Sequence, residues 1–181
     1  MVQSIKKSIV MLILVATFSS CNQEPTLQTY YVDNELKPGF TSLDIPTSFL
    51  NIEETNLTEA QIQAYKSVDK LNMLAFMKTN DNIEVYKTEL AKVTSIFKNP
   101  KYEELIRGGN TTDGKFVVKF LGDPERLDEL ILFGNSNDKG FAIVRILGDD
   151  MNANKLVKLA MSLDKNSISD TQVNQFINFF K

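Results

Sequence analysis

The sequence predicts an α+β domain: a single, mostly antiparallel sheet of about four to five strands with helices packed on one face. Three observations predict it. Ile83, Tyr86, Leu90, Val93 and Phe97 recur at three- and four-residue spacing, the period of an amphipathic helix. Residues 71–77 are nearly all apolar in a run too short for a good helix, which reads as a strand covered on both faces. From residue 102 to residue 147, short apolar runs alternate with Gly, Asn, Asp and Pro, the pattern of strands and turns. A helix between strands followed by a meander is the order of an α+β fold.

Each element follows from local signals. Residues 22–41 contain Asn, Gln, Glu, Thr, Pro25, Pro38 and Gly39 without a period, so residues 21–41 read as a flexible tether. Tyr30-Tyr31-Val32 within it reads as local stickiness and not as a strand. The globular domain is expected over 42–165. Asn56-Leu57-Thr58-Glu59 marks a helix start, with Asn56 as cap, and Ala60, Ile62, Ala64, Tyr65 and Val68 follow as its stripe. Asp81-Asn82-Ile83-Glu84 repeats that capping pattern ahead of the amphipathic helix, which Pro100 closes. Strands are expected at 102–106, 116–121, 127–133 and 141–147. The polar residues 134–140 join the last two as a hairpin loop. Asp149 or Asp150 is expected to cap a helix carrying Leu156, Val157, Leu159, Ala160 and Leu163. Residues 166–181 form a C-terminal tail in which 170–180 read as a short helix, with Val173, Phe176, Ile177 and Phe180 on one side. Its polar side holds Asn174, Gln175 and Asn178 and no basic face, which favours docking on the domain over contact with a membrane.

The amino terminus has the layout of an export signal. Lys6 and Lys7 precede an uncharged apolar run over residues 9–18. Ten helical residues span about 15 Å, half of a hydrocarbon core of about 30 Å, so the run is too short to anchor the chain as a transmembrane helix. Ser19 and Ser20 then lead into Cys21, the only cysteine. This ending resembles the lipobox of bacterial lipoproteins. It departs from the pattern at Phe18, where the lipobox usually has Leu, a variation tolerated among lipoproteins of the Bacteroidota. The resemblance implies that residues 1–20 are removed and that Cys21 is lipidated. Acyl chains at about 0.8 kcal/mol per buried CH₂ would then hold the protein on a membrane. Loss of residues 1–20 removes two lysines and no acid, leaving 18 basic and 23 acidic side chains and a net charge of −5.

A second resemblance concerns the domain. The apolar strand Lys70-Leu71-Asn72-Met73-Leu74-Ala75-Phe76, the helix over 84–97, and a hairpin arm over 141–149 that ends in Gly-Asp and leads into a Lys-Leu-bearing helix over 155–163 carry it. Together with the export signal, these resemble the domain-of-unknown-function family 4252, over residues 42–165. The resemblance implies a location and a fold, and it brings no catalytic residues.

Composition excludes much chemistry. With no His and with Cys21 assigned to lipid, no Ser-His-Asp or Cys-His arrangement can form. Lys66 and Ser67 are adjacent, so a helix turns them to different faces and they make a poor Ser-Lys dyad. The pairs Glu53-Glu54, Glu103-Glu104 and Asp128-Glu129 would point to opposite faces of strands. Asp149-Asp150 sits at a strand-to-helix corner, where capping explains it. Residues 135–140 imitate a calcium loop, but Lys139 and Ile146 occupy positions that need oxygen ligands. No phosphate loop follows Gly108-Gly109. Catalytic, metal and cofactor sites are therefore not expected. A whole-chain charge of −3 and a pI near 5.1 offer nothing to nucleic acid. The expected function is a non-catalytic, lipid-anchored envelope protein that binds a protein partner or ligand through residues the sequence does not single out. The alternatives are a carboxylate-dependent envelope hydrolase and a regulator or sensor of envelope stress. Residues 22–25, Asn-Gln-Glu-Pro, hold a single acid and poorly match cell-surface export signals. The expected location is therefore the outer membrane, with the domain facing the periplasm.

Overall fold

The computed structural model describes residues 24–49, 52, 57–110, 112 and 114–162. The described chain begins with helix α1 (Leu27–Asn34), strand β1 (Phe40–Pro46) and a single 3₁₀ turn (Thr47–Phe49). Helix α2 (Glu59–Lys66), strand β2 (Val68–Met77) and helix α3 (Ile83–Ile96) follow. Strands β3 (Glu103–Asn110), β4 (Gly114–Asp123), β5 (Arg126–Ser136) and β6 (Gly140–Met151) then lead into helix α4 (Ala153–Ser162). The six strands form one open sheet in the order β1-β2-β6-β5-β4-β3, and every neighbouring pair is antiparallel.

The α+β class holds, with three corrections. The described residues form six strands and not four to five, because β1 lies in a stretch without strong alternation. Its pattern Phe-Thr-Ser-Leu-Asp-Ile-Pro mixes polar and apolar residues, as an edge strand can. Helices cover both faces and not one. The third correction concerns the stretch read as a tether. Leu27, Tyr30 and Tyr31 of α1 are buried in the main core, so the folded unit begins before residue 42. The α1 signal is a Thr-x-x-Thr box: Thr26 accepts from the Thr29 amide, and the Thr29 hydroxyl accepts from the Thr26 amide. A box closed by Thr in place of Glu or Gln escapes the usual pattern.

Other starts also shift by a residue or two. Thr58, with Gln61 reaching back, caps α2, while Asn56 lies outside the described residues. Asn82 stands at the cap of α3, but its side chain braces the preceding turn, accepting from the Thr79 amide and donating to the Met77 carbonyl. Asp149 and Asp150 do not cap α4: β6 runs on through them to Met151, and Asn152 accepts from the Lys155 amide instead. Asp150 sits at φ 52° and pairs with Arg126 at 3.0 Å in full solvent. The hairpin loop shrinks to 137–139, because β5 and β6 stay paired out to Ser136 and Gly140.

The first face of the sheet carries Phe40, Leu74, Phe76, Leu121, Ile131, Phe133, Phe141 and Ile143, packed against α1 and α3. Phe76 and Phe141 are fully buried and stack at 5.8 Å and 14°. Phe40 meets Phe76 edge-on at 4.9 Å, and Phe133 lies 6.1 Å from Phe141. The second face carries two clusters. One gathers Phe120, Leu127, Leu130 and Met151 with α2 and α4 through Ala64, Leu156 and Leu159. The other gathers Ile45, Met73, Ala75, Ala142 and Val144, flanked by Ile52.

Removing the stacked ring at the centre of the first face leaves a cavity that the paired strands cannot close. Phe141→Ala is expected to destabilise the domain by about 3–5 kcal/mol, read as a lower urea midpoint at unchanged slope. A loss under about 1 kcal/mol would show that this aromatic cluster is not the core of the fold.

Candidate functional site

Two features distinguish this domain from a plain packed sheet. One is a buried polar network on the first face. The other is an exposed apolar patch on the second.

The first face changes character along the strands. Past the aromatic cluster, the next inward positions are Asn72 on β2 and Arg145 on β6, which stand opposite each other. Arg145 is 4% exposed and Glu129 7%, and they form a two-bonded pair: Nε donates to Oε1 at 2.5 Å, and Nη2 donates to Oε2 at 3.1 Å. The remaining Nη1 donates to Oε1 of Gln28 on α1 at 2.6 Å. Asn72 donates to Oδ1 of Asp44, which also accepts from the Tyr31 hydroxyl at 2.6 Å. The Tyr30 hydroxyl donates to Oε2 of Glu89 at 2.9 Å, and Lys92 pairs with the other Glu89 oxygen at 2.7 Å. The Leu27 amide donates to the Tyr102 hydroxyl at 3.0 Å. Helix α1 is therefore pinned by polar contacts to β1, α3, β6 and the segment before β3.

Burial pushes the Tyr30 and Tyr31 hydroxyls far above their ordinary value near 10, and the neighbouring carboxylates Glu89 and Asp44 add to the shift. Both buried carboxylates, Glu129 and Glu89, already have cationic and hydrogen-bonding partners. Among the described residues, no buried side-chain nitrogen or oxygen lacks a partner. No group of three or more Asp, Glu, His or Cys among them could hold a metal ion. A satisfied network of this kind fixes geometry; it offers no free group to a substrate.

The apolar patch comes from the register of the second face. Leu43, Met73, Val144, Leu132, Val118 and Ile106 are directly paired from strand to strand, one unbroken apolar row across all six strands. The next row is Thr41, Ala75, Ala142, Gly134, Phe116 and Gly108, small except for one ring. That ring lies over its neighbour: a Cβ on Gly108 would come within 2.5 Å of the Phe116 ring. Met73, Ala75, Ala142 and Val144 are buried on the β2–β6 side. On the β5–β4–β3 side, Leu132 is 38% exposed, Ile106 37% and Phe116 47%. None of these three belongs to a core cluster. Sequence reading placed Phe116 and Leu132 in strands but could not assign their face, since both sides of β4 and β5 are apolar.

The residues weighed for chemistry are not brought together. Asp149 and Asp150 end β6 in solvent, Glu103 and Glu104 start the edge strand β3, and Glu104 pairs with Arg107. Asp128 is exposed while its neighbour Glu129 is the buried partner of Arg145, so that pair splits across the sheet. Cys21 and the segment 170–180 lie outside the described residues, as do Glu53 and Glu54. Among the described residues, no helix is long and apolar enough to cross a membrane.

A family model described as "Domain of unknown function (DUF4252)" matches residues 31–159. The match starts inside α1 and ends inside α4, so it takes in all six strands. No curated protein and no solved structure matches the chain.

Two outcomes are expected of the polar network. Arg145→Met strands a buried carboxylate and is expected to cost about 3–5 kcal/mol, with Arg145→Met/Glu129→Leu recovering most of it. A double variant no more stable than the single one would show that the pair is not an isolated unit. The buried phenols give stability an alkaline limb. Below pH about 10, both folded and unfolded chains keep neutral tyrosines. Above it the unfolded chain ionises first, so each retained phenol costs about 1.4 kcal/mol per pH unit until its folded-state value is reached. Urea midpoints at rising pH are expected to fall from about pH 10, and less steeply for Tyr30→Phe; equal slopes would contradict the assignment.

Proposed function

The chain belongs to the DUF4252 family, and we propose that it is a non-catalytic binding domain, held on the cell envelope by lipid at Cys21. The observation that carries the binding reading is the exposed apolar patch of Ile106, Phe116 and Leu132 on an ordered sheet face. Large apolar side chains grouped on a rigid surface mark an interaction site more readily than scattered ones do. Phe116, whose ring lies over Gly108 and which is paired with Gly134, is the one large side chain of its row and an aromatic anchor of the kind that interfaces use. The partner is a protein of the envelope. The edge strand β3 beside the patch carries Glu104 paired with Arg107, charges that discourage unselective strand addition.

The anchor reading rests on the sequence before residue 22: a short positive region, an apolar run of ten residues, and one cysteine directly after two serines. The domain supplies no membrane-binding charge of its own, because the chain from Cys21 onward carries net −5. An outer-membrane location with the domain in the periplasm fits the single acid in residues 22–25.

Two measurements test these halves separately. Cys21→Ala is expected to move the protein from the membrane to the soluble fraction with its urea midpoint unchanged. Retention on membranes through a high-pH wash would dispose of the anchor. A photo-cross-linking residue at position 106 in intact cells is expected to give a discrete adduct of higher mass, lost when Leu132→Asp is added. No intermolecular adduct, or one indifferent to Leu132→Asp, would dispose of the binding face.

A further inference from the structure

We propose that residues 170–180 of the same chain pack on the open patch of Ile106, Phe116 and Leu132, and cover it until a partner displaces them. This rests on the binding reading above and adds its regulation.

The geometry of the patch and the arithmetic of the chain point to this occupant. Helix α4 ends at Ser162, and its Leu156 and Leu159 share a core cluster with Phe120 and Leu130 on the same face of the sheet. Phe120 and Phe116 lie four residues apart on β4, about 13 Å along the strand. Seven residues, 163–169, can span up to about 23–25 Å when extended, more than the separation of Phe120 and Phe116 along β4. Ile106, Val118 and Leu132 stand on three adjacent strands, so the patch is about 10 Å across. Val173, Phe176, Ile177 and Phe180 follow helical spacing, and Val173 to Phe180 covers about 10.5 Å of helix rise. The two apolar surfaces therefore agree in length. They also agree in charge. The segment 170–180 has Asp170 as its one charged residue, and the patch presents none.

The expected consequence is competition: the segment shields three large apolar side chains from water, and a partner that offers more apolar contact replaces it.

The chain contains no Trp and one Cys, so both can be introduced as single reporters. In the full-length chain carrying Cys21→Ala, Phe176→Trp is expected to show blue-shifted emission shielded from acrylamide. Adding Phe116→Asp and Leu132→Asp is expected to abolish both effects while the far-ultraviolet circular dichroism is unchanged. In the same background, Leu132→Cys with Phe176→Cys is expected to form a disulfide within the monomer under mild oxidation. Solvent-exposed emission that is indifferent to the Asp substitutions would overturn the proposal. So would a disulfide found only between chains together with a doubled mass in light scattering, which makes a second copy the occupant. So would a blue shift that appears only on adding vesicles of phosphatidylethanolamine and phosphatidylglycerol, which makes lipid the occupant. All of these readouts use the purified chain without any protein partner. A failure here leaves the cellular adduct at position 106 standing, and loss of that adduct leaves the docked segment standing.

Discussion

The structure depends on the insertion of β6 between β2 and β5. This pairing joins segments about 70 residues apart in sequence, from Met77 opposite Gly140 to Val68 opposite Gly148. Its two ends are held by close backbone approaches. A Cβ on Gly140 would fall 2.0 Å from the Phe76 carbonyl oxygen, and one on Gly148 would fall 2.0 Å from that of Ser67. Glycine at both ends lets the chains meet there. Between them, both strands are apolar on both sides: Leu74, Phe76, Phe141 and Ile143 face one way, and Met73, Ala75, Ala142 and Val144 the other. A central pair that is hydrophobic on both faces needs cover on both faces. That requirement sends α3 across one face on the way from β2 to the far edge strand β3, and it brings α2 and α4 together on the other.

The first face shows how cover and specificity divide. Under α3 it is aromatic and closes by area. Under α1 it is polar and closes by matched donors and acceptors. A buried ion pair adds little net stability over an apolar pair of the same shape, because desolvation offsets its attraction. What it adds here is position. The planar guanidinium of Arg145 is occupied on two sides by Glu129, which leaves one direction for Nη1, and Gln28 lies there. With Tyr30 and Tyr31 reaching Glu89 and Asp44, the eight residues of α1 can sit on the sheet in one register only. The short helix lacks a strong stripe of its own, so its place is decided by partners far away in sequence.

That contrast explains what could be read from the chain alone. Helix α3 was legible because its period is local: Tyr86, Val93 and Ile96 repeat on one side of a single segment. The strands β2, β4, β5 and β6 were legible as apolar runs between turn residues. Helix α1 was not, because Tyr30 and Tyr31 gain their meaning from Glu89 and Asp44, 59 and 13 residues away. Strand β1 was not, because its pairing with β2 shows in register and not in pattern. The candidate site was hidden for a related reason. Phe116, Leu132 and Ile106 stand on three strands and meet only through the β3–β4–β5 ladder. In the sequence each resembles a core residue. Strands apolar on both sides carry no mark of which side stays open.

Geometry makes some opening unavoidable. Six strands are about 24 Å wide, and the 12 residues of β6 run about 40 Å. The two helices on the second face have 8 and 10 residues, about 12 and 15 Å of rise. They pack together at one end, over Phe120, Leu127 and Leu130, and cannot reach Phe116. A protein that merely tolerated this shortfall would place polar side chains on the uncovered positions, as an antiparallel sheet facing water does. Here the uncovered positions on β3, β4 and β5 are Ile, Phe and Leu: Ile106 and Leu132 lie in register with the buried Met73 and Val144, and Phe116 with the buried Ala75 and Ala142. The apolar row continues past the end of its helical cover. That continuation sets the patch apart from the solvated face of an ordinary antiparallel sheet, where polar side chains would stand.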